Sequence, residues 1–241
     1  AGVGLTLMIV VLYTSVGGFV SVVRTDVMQG MLMLLGSVVI FYFVTRAAGG
    51  VEAIGTLRTI PEKEFLFELN GGIPFAVLLG VSLSGALKLL ADPRQLSRFY
   101  ALKDEAAVRR GKWVATVGLA IVLACLFPVG VYAHLILTNV TDTDLIVPSL
   151  VNDPTVFPIW ATDFLIVSIL AAAMSSMDSV LLVAASTLYK NLVAPFRASS
   201  RELLWTRTAV IGFSVFAAIL ALNPPGDIVE ITIFCHNFNF K

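Results

Sequence analysis

The chain has 241 residues, 58% hydrophobic and 13% charged, with sixteen basic and sixteen acidic side chains and a formal net charge of zero. Soluble domains carry about 25% charged residues, so the composition excludes an ordinary soluble domain and points to an integral membrane protein. The even charge balance argues against a nucleic-acid partner. Two cysteines, Cys125 and Cys235, support neither a disulfide framework nor a metal cluster.

The first apolar segment covers residues 1–20, with Tyr13-Thr14-Ser15 and Gly17-Gly18 near its end. It lacks the charged start of a secretory signal. A short link around Arg24 leads to a second span at 26–48, opening Thr25-Asp26-Val27-Met28-Gln29. Residues 49–72 form a polar connection with Glu52, Glu62, Glu64 and Glu68. The third span, 73–91, holds Gly80, Ser82, Ser84, Gly85 and Ala86, small side chains that let helices approach closely. Residues 92–112 read as a basic loop, and the fourth span, 113–138, contains Pro128 and Gly130, which predict a kink. An acidic loop with Asp142, Asp144 and Asp153 precedes the fifth span at 161–188. A basic stretch at 190–207 follows, then a sixth span at 208–222, and a further one starts at 228. A chain without an initiator Met, whose tail from Cys235 breaks an apolar run, is expected to be a fragment of a longer protein.

Basic and acidic connections alternate along the chain. Arg24, Lys88 and the stretches 92–112 and 190–207 hold twelve of the sixteen Lys and Arg residues. By the positive-inside rule these connections are cytoplasmic. The expected architecture is a single all-α, polytopic membrane domain over 1–241. It has about six full spans and a truncated last one, and sits in the lipid bilayer of the plasma membrane.

The fifth span is long enough to cross a bilayer, which takes roughly 20 residues at about 1.5 Å each. Its interior nevertheless carries Ser168, Ala172, Ser175, Ser176, Ser179 and Ser186, a stripe of small side chains at helical spacing flanked by Asp178. A carboxylate at membrane depth costs about 2.5–3.5 kcal/mol on insertion scales, so Asp178 is expected to face protein, water or an ion. Ala172, Ser175 and Ser176 sit at i, i+3 and i+4, so one carbonyl and two hydroxyls can converge on a cation. The same small residues would also serve simple helix packing. Asp26 reads either as an N-cap of the second span or as a cation ligand opposite Asp178. Arg94 and Arg98 read as topogenic charges and Lys190 as an interface residue. His134 and His236 lack partner clusters. No nucleophile–base pair, phosphate loop or cofactor fingerprint occurs, so an enzyme is not expected.

Three stretches resemble the sodium:solute symporter family, which includes sodium/glucose, proline and pantothenate carriers. Tyr13-Thr14 through Gly17-Gly18 to Thr25-Asp26-Val27-Met28-Gln29 resembles the junction of core helices four and five. Arg98-Phe99-Tyr100-Ala101-Leu102-Lys103-Asp104 resembles the loop after core helix six, and Ala171-Ala172-Ala173-Met174-Ser175-Ser176-Met177-Asp178-Ser179 resembles core helix eight. The resemblance implies part of a five-plus-five inverted-repeat transporter fold lacking the first core helices. It implies Na+ as coupling ion, with a main sodium site at Ala172, Ser175 and Ser176 and a second cation site at Asp26 and Asp178. The function implied is sodium-coupled symport of a small organic solute. Two other readings stay open: a symporter-like sensory module of a signalling protein, and a proton-coupled carrier using Asp178.

Overall fold

The computed structural model describes residues 2–57, 73–137, 143–196 and 202–222. Glu62, Glu64, Glu68, Asp142, the span expected from 228, and the tail with Cys235 and His236 lie outside the described residues. Of the described residues, 88% are helical and none is in a strand. The helices are α1 (Gly2–Ala47), α2 (Ala53–Leu57), α3 (Phe75–Ala91), α4 (Pro93–Tyr100), α5 (Glu105–Ile136), α6 (Ile146–Val151), α7 (Ile159–Leu188) and α8 (Glu202–Leu222). Four of them are long and apolar enough to cross a membrane, or five if the bent pair α3 and α4 makes one span.

The chain divides into two compact units. One holds the described parts of Ala1–Met31, Asp142–Val147 and Ser168–Lys241, the other those of Leu32–Thr141 and Pro148–Val167.

In the first unit the core is Val10, Leu181, Ala185 and Val210, with Tyr13, Met174, Met177, Ala209 and Phe213 packed on it. Met174, Met177, Leu181 and Ala185 recur at helical spacing on one face of α7, which is why this face meets α1 and α8. α1 is not straight. Gly18 has φ 58° and ψ −151°, a conformation outside the helix region, and two helices meet there. In a straight helix residues 13 and 26 would lie about 20 Å apart. Here Tyr13 reaches Asp178 and Asp26 reaches Ser175, one turn away on α7, so the chain folds back at Gly18. The preceding glycine is needed for space: a Cβ on Gly17 would sit 2.2 Å from the Ser21 Cβ. The guanidinium of Arg207 on α8 donates to the Val16 carbonyl (3.1 Å), one of the acceptors at the break.

The expected link around Arg24 is therefore helical, and the break falls at Gly18 instead. Asp26 lies well inside the helix after the break, which removes its reading as an N-cap.

In the second unit, Phe43 packs against Phe157 (5.7 Å between ring centroids) and Trp160 (5.7 Å), in tilted and edge-on geometries that favour aromatic pairs. Val44, Leu57, Leu150 and Ala161 are fully buried. α3 has no buried side chain, as suits a helix in apolar surroundings. α5 runs continuously through Pro128 from Glu105 to Ile136.

The stretch read as a basic loop is mostly helix. Asp92 accepts the Arg94 N–H (2.9 Å), and Pro93 stands at the first helical position, where its missing donor costs nothing. Asp104 accepts the Ala107 N–H (2.7 Å) and starts α5. Capping chemistry outweighs charge density as a structural signal here. Asp104→Ala is expected to lower stability by about 1 kcal/mol, read as a shift in thermal unfolding midpoint. Asp104→Ser, which keeps a capping oxygen, should recover most of it.

Candidate functional site

The site lies in the first unit, on α7 and the two arms of α1. Asp178 is fully buried, with 0% of its surface exposed. The Tyr13 hydroxyl donates to its Oδ2 at 2.6 Å, and the Ser179 hydroxyl reaches Oδ1 at 3.4 Å. One turn earlier on α7, the Ser175 hydroxyl donates to Asp26 Oδ1 at 2.6 Å. The Ser179 hydroxyl also donates to the Ser175 carbonyl (2.9 Å), which ties the two carboxylate pairs together. Each carboxylate thus accepts a short hydroxyl hydrogen bond, the stronger charge-assisted kind.

The pairing follows from the fold-back at Gly18. The arm of α1 before it brings Val10 and Tyr13 to Leu181 and Asp178, and the arm after it brings Asp26 to Ser175. The first arm runs antiparallel to α7.

Of the residues singled out in the sequence, Asp26, Ser175 and Asp178 are joined in this network. Ala172 and Ser175 are half-buried, and Ser176 is exposed. Ser168 and Ser179 are buried, so the stripe of small residues does not turn uniformly inward. Among the described residues no group of three or more His, Cys, Asp or Glu could hold a metal ion. The donor set around α7 is instead hydroxyl, carbonyl and carboxylate oxygen, the ligand type of hard cations.

Two further residues belong here that sequence reasoning did not assign. Tyr13 supplies the hydrogen bond on Asp178. Gln29 is buried, with its Oε1 lacking any hydrogen-bond partner. The available signal was that each is a polar side chain within an apolar run. Thr14 Oγ1 is a second buried oxygen of this kind on α1.

In the second unit a cleft of about 470 Å³ is lined by Phe43, Arg46, Ala47 and residues 154–158. At its rim the Thr155 hydroxyl (2.6 Å) and N–H (2.8 Å) both donate to Asp153 Oδ1. These bonds favour the ionised form and hold the Asp153 carboxyl below the usual carboxylate range.

Long apolar helices and a polar network around one buried and one half-buried carboxylate define an integral, multi-pass membrane protein of α-helices. The sequence profile of the sodium:solute symporter family matches residues 1–232, and the chain belongs to that family. The family and its members are transporters rather than enzymes. The chain is 33% identical over 240 residues to the osmoregulated proline transporter OpuE of Bacillus subtilis, covering 95% of this chain and 48% of the relative. It is 27% identical over 230 residues to the sodium/pantothenate symporter of Haemophilus influenzae, covering 92% and 47%. It is 26% identical over 236 residues to the sodium/proline symporter of Escherichia coli, covering 93% and 46%. The chain spans about half the length of the curated relatives it matches. No solved structure matches it.

Proposed function

We propose that the chain is part of a sodium-coupled symporter that carries a small organic solute across the plasma membrane. The observation that carries this reading is the 2.6 Å hydrogen bond from Ser175 to Asp26, beside the fully buried Asp178. A hydroxyl that donates to a carboxylate keeps both lone pairs for a cation. Ser175 is therefore held with its oxygen available, next to the Ala172 carbonyl and the Ser176 hydroxyl, as the main sodium site. Asp26 and Asp178 supply negative charge for a second cation. Sodium bound there would favour the carrier state that takes up solute, which is coupling through unequal affinity of two states.

The architecture that goes with this reading is a single membrane domain over 1–241, part of a five-plus-five inverted repeat. Taking the two arms of α1 as separate crossings, and α3, α5, α7 and α8 as one each, restores the six spans expected from loop charge. Coupling to protons through Asp178 is the second reading, favoured by the full burial of that carboxylate, which penalises its charged form.

Uptake into proteoliposomes holding the full-length protein tests the proposal. Proline and pantothenate, named for relatives, are the first solutes to try. Uptake of one of them should rise at least about tenfold under an inward sodium gradient compared with potassium, a difference of about 1.4 kcal/mol in effective affinity. Uptake equal in both salts but driven by an inward proton gradient would replace this reading by the second.

A further inference from the structure

α4 leaves the end of α3 at a bend of 45°. On α4 the apolar side chains Leu96, Phe99 and Tyr100 recur at i, i+3 and i+4, so they form one ridge. The chain leaves that ridge open: Leu96 is 38% exposed, Phe99 58% and Tyr100 85%. A short helix with an apolar ridge, turned off the axis of a membrane span, suits the boundary plane of a bilayer, where aromatic rings sit at headgroup depth. Four residues join α4 to α5, and Lys103 is among them. On the first turns of α5, Arg109, Lys112 and Trp113 share a face at i, i+3 and i+4, with Arg110 beside them. The Lys112 Nζ lies 5.5 Å from the centre of the Trp113 ring, within range of a cation–π contact. Among the described residues Lys103, Arg109, Arg110 and Lys112 make no ion pair, and all four are exposed. Of the acidic side chains at 88–112, Asp92 pairs with Arg94 and Asp104 caps α5, which leaves only Glu105 to offset the four.

We propose that α4, Lys103 and the start of α5 form a binding surface for anionic lipid headgroups of the cytoplasmic leaflet. The ridge of α4 meets the upper acyl chains, and the four cations meet lipid phosphates. Orientation in the membrane requires only that basic residues stay on one side of it. It does not require uncompensated cations next to an open aromatic ridge. Charge complementarity selects the occupant, because the cytoplasmic leaflet is negative and basic clusters flanking a span bind it, with Arg forking onto phosphate oxygens. A lipid covers the ridge as well as the cations, which a soluble acidic partner would not. The surface goes beyond the transport reading and holds whichever ion drives the carrier.

Quenching by brominated lipid tests this on the full-length protein reconstituted in phosphatidylcholine vesicles. Brominated phosphatidylglycerol or brominated phosphatidylcholine replaces part of the host lipid, and the signal of Trp113 is the difference between wild type and Trp113→Phe. Half-maximal quenching of Trp113 is expected at about a tenth of the mole fraction with phosphatidylglycerol that it needs with phosphatidylcholine. The triple variant Lys103→Gln, Arg109→Gln, Arg110→Gln should lose that preference, whereas Arg109→Lys with Arg110→Lys should keep it. Equal quenching by the two lipids in wild type overturns the proposal and leaves the surface to a soluble acidic partner. A triple variant that keeps the preference overturns the assignment to these cations. Should the triple variant fail to insert, wild type decides. Raising salt from about 0.1 M to about 1 M shortens the reach of exposed charges from about 10 Å to about 3 Å and must erase most of the preference. A preference that salt leaves unchanged overturns the proposal.

Discussion

Sodium should stabilise the full-length protein against heat where potassium and choline do not, and Ser175→Ala should abolish the difference. An ion bound only by the folded state contributes RT ln(1 + [Na+]/Kd), about 2.7 kcal/mol at a hundred times Kd. Ser175 is the sharpest place to test this because it has two jobs. Its hydroxyl holds Asp26 Oδ1 at 2.6 Å, and its oxygen faces the proposed ion. The alanine variant therefore has two expected effects that different salts separate. In choline it loses the hydrogen bond to a carboxylate, about 1.5–3 kcal/mol. In sodium it loses the ion's contribution as well. Differential scanning measurements in the three salts read both. Equal midpoints for wild type in sodium and choline would sink the sodium site, and a variant impaired equally in every salt would reduce Ser175 to a structural role.

The second large effect is expected at the fold-back of α1. Gly18→Ala should lower stability by about 1–3 kcal/mol, because φ 58° with ψ −151° is a region that only glycine occupies without strain. Space is not the obstacle, since a Cβ at Gly18 would meet nothing within 4 Å. Gly30→Ala is the control. It also has nothing within 4 Å but lies in regular helix, and it should raise stability by about 0.5–1 kcal/mol. The same chemical change is thus expected to act with opposite signs at two positions of one helix. Gly18→Ala should also weaken the sodium response, because the fold-back brings Tyr13 to Asp178 and Asp26 to Ser175 on the same helix. A Gly18→Ala protein as stable as wild type would mean that the α1 break does not need this backbone conformation.

Much was legible without coordinates. Membrane class follows from composition, because 13% charge and long apolar runs leave no soluble alternative. Helices Phe75–Ala91 and Ile159–Leu188 fall in the apolar runs at 73–91 and 161–188. That Asp178 needs protection also follows from the sequence, since a carboxylate in the middle of an apolar span is costly wherever the span packs. The charged connections were misjudged for a local reason. Asp92-Pro93 and Asp104-Glu105 are helix starts, and reading them as loop weighed charge over capping.

Tertiary structure alone decided the rest. Whether Asp26 caps a helix or reaches across to another depends on where α1 breaks, and Gly17-Gly18 offers a break while Arg24 offers only a charge. Tyr13 meets Asp178 across a separation of 165 residues, and Ser175 meets Asp26 across 149. Helical periodicity relates neighbours three and four apart on one helix, and carries no information on which faces of two helices meet. The meeting of Tyr13 with Asp178 and of Asp26 with Ser175 is set by one backbone turn at Gly18, which lays both arms of α1 against α7.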